Sequence, residues 1–299
     1  MQVWLGIDAG GAHSKILALD QSHKIIKSLE GPSVQLSKQN LEDSVVRLCT
    51  LIDRMISTIP SPEVNGIGIG VSGGGRKFIC KKLTNQLEMH YPNIPIDVKS
   101  NGETAHLQAF GEKDGILITA GSGTIVTGRC GNRWERAGGF GYLIGDWGSG
   151  YMMGQDFLKY IAGTLELSPN SSWAALLQDR YNLGSIEDLL EAVYVNKLSP
   201  NKFTPLLLEL AAKGNKACSR ILNDHLQQLA KQVFWVQQKL PQDVNAFSFT
   251  GSHATQIFYQ KQLKSHILKI IPEAKWIDDC KEPALGAFRL IYGNGVKKK

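Results

Sequence analysis

One pattern occurs twice in this chain and restricts what it can fold into. GIDAGGAHSKILALD, starting at Gly6, and GILITAGSGTIVTG, residues 115–128, each read as an apolar strand, a turn of small residues and glycines, and a second apolar strand. A restart of this kind signals internal duplication. Around the first copy, strands are expected at 3–7, 16–19 and 24–27, then a helix over 41–59 that Pro60 stops. A strand at 66–71, a helix at 77–90, a strand at 94–98 and a helix at 103–110 follow, and this alternation points to an α/β fold. After the second copy the chain turns helical, at 151–165, 172–180, 185–195, 203–212 and 215–240, before a strand at 246–250 and a last helix at 283–292.

Two lobes follow from the repeat, 1–112 and 113–299, with the last helix, 283–299, able to pack back on the first. No Pro-rich or Ser-rich tether divides them, so Gly111 to Asp114 reads as a hinge. Composition narrows the function. Apolar residues at 42% and charged residues at 20% describe an ordinary globular protein. Three of the charges behind the net +6 are Lys297, Lys298 and Lys299 at the chain end, so the folded body is only mildly basic and no nucleic-acid partner is expected. The five cysteines show no C-x-x-C spacing, arguing against zinc and disulfides. No leader pattern and no eighteen-residue apolar run are present, so a cytoplasmic protein with no membrane partner is expected.

The chemistry sits in the turns. A phosphate close to the main chain needs backbone N–H donors with no Cβ in the way, which glycine at a tight turn provides. Gly10-Gly11 and Gly121-Ser122-Gly123-Thr124 meet that need. A third turn, Thr250-Gly251-Ser252-His253, is expected to open a helix whose N-terminus would attract an anion or hold a nucleotide. One such turn alone is an ordinary hairpin, whereas three in this order are a nucleotide site. Asp8 precedes the first turn, where a carboxylate can hold Mg²⁺ or a metal-bound water. Residues 138–154, GGFGYLIGDWGSGYMMG, carry seven glycines around Asp146 and should form a functional loop ahead of a helix starting near Ser149. His13, His106 and His253 lack partners at ligand spacing and read as turn or surface histidines rather than metal ligands or bases. Met152-Met153 reads as core filling, and Trp134 and Trp147 as packed or stacking rings beside the loop.

With these motifs in this order the chain resembles the BadF/BadG/BcrA/BcrD-type ATPases and, among them, the N-acetylglucosamine and glucosamine kinases of the hexokinase–actin superfamily. The likeness runs through Gly6-Ile7-Asp8-Ala9-Gly10-Gly11, Ala120 to Thr124, Gly138 to Gly141, Gly145 to Gly150, Thr250 to Ser252 and Pro283 to Ala287. It implies two ribonuclease-H-like (actin-like ATPase) lobes with a cleft between them that closes on ATP and Mg²⁺, and a sugar acceptor. By the same resemblance Gly10, Gly11, Ala12, His13, Lys15, Gly121, Ser122, Gly123, Thr124, Gly251 and Ser252 bind ATP. Ser33, Gln35, Asn101, Gly138, Gly139 and Asp146 bind the acceptor, and Asp8 and Asp146 hold the metal through water. The family's kinases place an aspartate after Asn101 as the base; here Gly102 stands there and Glu103, the next carboxylate, is expected to serve. Val34 or Gln35 occupies the place of a sugar-contacting asparagine, and Trp147 that of an acid after Asp146. The implied activity is phosphoryl transfer to an amino-sugar hydroxyl, by a monomer or homodimer. The alternatives are an ATPase of the BadF type without a sugar acceptor and a sugar- or nucleotide-binding sensor.

Overall fold

The computed structural model describes residues 1–11, 13–34, 36, 40–241, 244–277 and 282–295, the last three by backbone alone. The chain forms two compact units, Met1–Lys113 with Ile277–Lys299, and Asp114–Trp276.

In the first unit, β1 (Gln2–Ala9), β2 (His13–Leu19), β3 (Ile25–Pro32), β4 (Glu63–Val71) and β5 (Ile96–Ser100) form one sheet in the order β3-β2-β1-β4-β5. The first three are an antiparallel meander, and β4 and β5 run parallel to β1. Strand alternation sorts the side chains. Val3, Leu5, Ile7 and Ala9 join a core built with Val45, Leu48 and Ile52 of α1 (Leu41–Ser57) and Ile79, Leu83 and Leu87 of α2 (Lys77–His90). The helix α3 (Asn101–Phe110) follows β5 directly. Gly31 and Pro32 end β3, where they pair with Ser14 and His13.

The second unit repeats the plan. Its strands β6 (Gly115–Ala120), β7 (Thr124–Cys130), β8 (Arg133–Gly138), β9 (Ala246–Thr250) and β10 (Lys275–Trp276) are ordered β10-β9-β6-β7-β8. Counted from each unit's first strand, this is the same order as in the first sheet, with the insertion between the third and fourth strands grown into a helical block. That block holds α4 (Gly150–Leu167), α5 (Ser172–Tyr181), α6 (Ile186–Leu190) running into one π turn at Glu191–Val195, a 3-10 turn at Pro200–Phe203, α7 (Thr204–Ala212) and α8 (Lys216–Lys239). Helix α8 starts on an Asn215 cap that accepts from the Cys218 amide at 3.1 Å, and it buries Leu222, Leu226, Leu229, Val233 and Val236 at three- and four-residue spacing. Helix α9 (Ile257–Leu268) lies between β9 and β10, and starts later than the helix expected at the third glycine turn.

The chain then returns to the first unit as α10 (Pro283–Gly295), whose Ala284 and Phe288 pack with Leu17 and Leu19. It sits unusually close to the sheet, because a Cβ on Gly68 would overlap the Ala287 carbonyl and one on Gly6 the Ala284 carbonyl. Gly286 of the helix in turn lets the Thr104 carbonyl of α3 approach. Among the described residues no helix is long and apolar enough to cross a membrane.

Candidate nucleotide and phosphate site

In the first unit the β1–β2 turn is tight. The Gly10 amide donates to the His13 carbonyl at 3.0 Å, and the Gly10 carbonyl accepts from the Val34 amide at 2.9 Å, tying the Ser33–Val34 segment to the turn. Arg47 holds the Ser33 carbonyl at 3.0 Å. Asp8 and Lys15 are cross-strand partners, yet the Lys15 ammonium is bonded to Glu282, just ahead of α10. Burial pushes the Asp8 carboxyl up to about 6; His13 and Lys15 pull it down less than burial lifts it, and Glu282 adds to the rise. His13 is exposed and Gly11 lies in the bend before it, while Ala12 and Gln35 are outside the described residues.

At the end of β5 the structure engages Glu103 in a helix cap. Ser100 caps α3, and Glu103 folds back to complete a capping box, its carboxylate accepting from the Ser100 amide at 3.1 Å and hydroxyl at 2.7 Å. The same carboxylate lines a cavity of about 450 Å³ against α2, with Lys77, Cys80, Asp97 and Lys99. Asn101 is the first residue of α3, and its carbonyl accepts from the Thr104 hydroxyl at 3.1 Å.

In the second unit Gly121, Ser122, Gly123 and Thr124 form the β6–β7 hairpin, closed by a 2.9 Å bond from the Gly121 amide to the Gly123 carbonyl. The carbonyls of Gly121 and Ser122 accept from Gly150 and Tyr151 at 2.8 and 3.3 Å, so the first amides of α4 are spent on the turn. Peptide planarity then aims the Ser122 and Gly123 amides away from α4, since N–H and C=O of one trans peptide point in opposite directions. Asn201, which the sequence did not single out, donates to the Ser122 hydroxyl at 3.2 Å.

Asp146, 6% exposed and with φ of 65°, is the knot of the glycine loop. Its carboxylate accepts the Gly141 amide at 3.2 Å and is hydrogen-bonded by the amides of Thr124, Gly139 and Phe140. Burial still raises its pKa against these bonds. Its oxygens therefore join the loop to the β6–β7 turn, and a Cβ on Gly123 would come within 2.9 Å of one of them. The loop itself is shorter than the glycine count suggested, since Gly138 ends β8, while Gly150 and Gly154 lie in α4.

The third turn departs from expectation. Thr250 to His253 do not open a helix, because α9 begins only at Ile257. Instead Gly251, with φ of 96°, brings the turn onto the end of β6, where the amides of His253 and Ala254 both donate to the Ala120 carbonyl at 3.0 Å. Ser252 thereby lies beside Gly121. So Gly121 to Thr124, Gly138, Gly139, Asp146, Gly251 and Ser252 form one cluster in the second unit, while Asp8, Gly10, His13, Lys15 and Ser33 form another in the first. Glu282 and Asn201 have no local signal, because each meets its partner from a distant stretch of chain.

Known proteins resemble this chain over most of its length. An N-acetyl-D-glucosamine kinase of Dictyostelium discoideum is 26% identical over 322 aligned residues, covering 98% of each chain. An N-acetylmuramic acid/N-acetylglucosamine kinase of Clostridium acetobutylicum is 29% identical over 244 residues, 77% of each. In fold the chain is similar to a ROK family glucokinase from Streptomyces griseus solved with glucose and AMPPNP, with a TM-score of 0.65 at 15% identity over 97% of this chain and 99% of that one. The BadF/BadG/BcrA/BcrD ATPase family model matches residues 5–290, and the chain belongs to that family.

Proposed function

We propose that this protein transfers the γ-phosphoryl group of ATP to a hydroxyl of an amino sugar of the N-acetylglucosamine type. The observation that carries the reading is Asp8. It is a carboxylate lifted to about 6 by burial, at the mouth of a glycine turn, beside a lysine whose ammonium is occupied by Glu282. The positive charge beside it falls short of what burial demands, and Mg²⁺ is bound in phosphoryl-transfer sites by one or two carboxylates with the nucleotide's oxygens and water completing its shell. Asp8 would hold Mg²⁺ directly or through water, and the ion would supply neutralisation of charge on the phosphates.

The chain's own groups do the rest. The Gly10-Gly11 turn and the Ser122 and Gly123 amides supply donors to phosphate oxygens, and the Gly251-Ser252 turn supplies the nucleotide's other end. Ser33 and Asn101, with the loop that Asp146 organises, supply polar contacts to the acceptor. In this reading Glu103 is not given the base's role, because its carboxylate is engaged at the α3 cap. A missing base is tolerable here. A general base contributes about 10²–10⁴-fold, while most catalysis of phosphoryl transfer comes from positioning and electrostatics. The relatives' activities, with alignments over 98% and 77% of this chain, support the choice of acceptor.

A second reading draws on the same capped Glu103 and on Gly102, namely a sensor that binds sugar and nucleotide with little turnover. The test is ADP release from MgATP with a panel of amino sugars, N-acetylated sugars and simple hexoses. Strong stimulation by an amino sugar supports the kinase. Saturable ATP and sugar binding without stimulation supports the sensor, and ADP release indifferent to every sugar would leave an ATPase.

A further inference from the structure

Gly148, two residues after Asp146, is held by buried side chains on both its peptide groups. Its amide donates to Nδ1 of His225 on α8 at 3.3 Å, and its carbonyl accepts from the Tyr259 hydroxyl on α9 at 2.7 Å. His225 is 2% exposed and Tyr259 fully buried. The other ring nitrogen of His225, Nε2, lies 3.0 Å from Asp156 on α4. These bonds fix the tautomer. Nδ1 faces an N–H and must be bare, so the ring proton sits on Nε2 and is donated to Asp156. Only glycine suits the held position, because φ is 81° and a Cβ would lie 2.9 Å from both Leu229 and the Tyr259 oxygen.

What hangs on Gly148 is the phosphate-facing apparatus of this unit. Asp146 gathers the loop amides on one side; on the other, Ser149 caps α4, and the Gly150 amide fixes the Gly121 carbonyl. We propose that His225, oriented by Asp156, is a positioning residue that holds the glycine loop and, through it, the β6–β7 turn in the form that receives a phosphate. The catalytic consequence rests on the kinase reading; the structural part does not. A proton on Nδ1 would set N–H against N–H and release Gly148. Burial holds the His225 pKa below its usual value, against the upward pull of Asp156 and Asp224, and Lys159, which is paired with Asp156 at 2.9 Å, lowers it further. Tyr259, the remaining titratable group at Gly148, is kept neutral by burial. The ring is therefore neutral at pH 7 and takes a proton only in acid.

Hydrogen exchange over residues 139–150 of the full-length protein, expressed as protection after correction for the intrinsic rate, tests this between pH 8 and pH 5. Wild type should protect the segment at neutral pH and lose protection at least tenfold in acid. His225→Phe should lack that protection at every pH, while His225→Asn, whose Oδ1 takes the place of Nδ1, should restore it and show no pH dependence. Protection in β6 and β9 should not change. Equal protection of the segment in His225→Phe and wild type overturns the proposal. Should the Phe variant not fold, an Asn variant that loses protection in acid as wild type does overturns it equally. No substrate is needed, so the measurement decides the matter even for a chain that phosphorylates no sugar. If it is a kinase, His225→Phe should raise KM for ATP more than it lowers kcat.

Discussion

The Glu103 carboxylate accepts from both the amide and the hydroxyl of Ser100, at 3.1 and 2.7 Å, and Ser100 in return accepts from the Glu103 amide at 3.3 Å. Glutamine serves nearly as well as glutamate in this reciprocal cap. Glu103→Gln should therefore change stability by less than about 0.5 kcal/mol and sugar-stimulated turnover by less than about fivefold, whereas Glu103→Ala should cost about 1 kcal/mol from the damaged cap. Steady-state ADP release and urea melts read both. A fall of about 10²–10⁴ in kcat for the glutamine variant would return Glu103 to the role of base.

Asp8 should make the unliganded protein less stable as pH rises. Its folded pKa, about 6, lies above the ordinary 3.8, so between those values the native state binds more protons than the unfolded chain. Stability is then highest below the lower value and falls as pH climbs through the window, by an amount on the order of 3 kcal/mol at most. Asp8→Asn should flatten this part of the curve in urea melts run from pH 4 to 8, and leave the variant more stable than wild type at pH 7. The same substitution should cut MgATP turnover at least about a hundredfold, since a metal-side carboxylate is lost.

Asp146→Ala removes the acceptor of the Gly141 amide and the carboxylate that the amides of Thr124 and Phe140 also favour, while the Gly139 amide keeps the Thr124 carbonyl at 2.9 Å. Because Phe140 and Gly141 are exposed and water can replace the lost acceptor, the cost in denaturant melts should be about 1–2 kcal/mol, and for Asp146→Asn, which keeps one acceptor oxygen, roughly half as much. If both variants melt like wild type, the carboxylate does not hold the loop.

Gly68→Ala pushes a methyl group into the Ala287 carbonyl, backbone against backbone, where no side chain can swing aside. The expected cost is about 3 kcal/mol or more. Gly75→Ala is the control, because nothing lies within 4 Å of its added Cβ. Thermal melts should separate the two variants clearly.

The fold is legible in the sequence because its signals are local. Each strand, glycine turn and strand is contained in about fifteen residues, and the alternation of Val3, Leu5 and Ile7 is written in consecutive positions. The helices expected at 151–165, 172–180 and 215–240 match the structure within two residues at each end for the same reason. The sequence places a helix after the third glycine turn but not its start at Ile257, because its buried residues, Tyr259, Leu263 and Ile267, recur only every fourth position among lysines and glutamines, a narrow stripe that marks no first turn.

By itself, then, the sequence determined the duplicated α/β plan, the positions of the glycine turns and the family to which their order belongs. Only the tertiary structure decided what the polar side chains near those turns do. Lys15 finds Glu282 across 267 positions, Gly148 finds His225 across 77 and Tyr259 across 111, and Glu103 turns to its own helix cap. A turn or a periodic face is set by the conformations open to neighbouring residues. The partner of a carboxylate or imidazole is set by which amides and charges the finished fold leaves without water, and no local pattern carries that information.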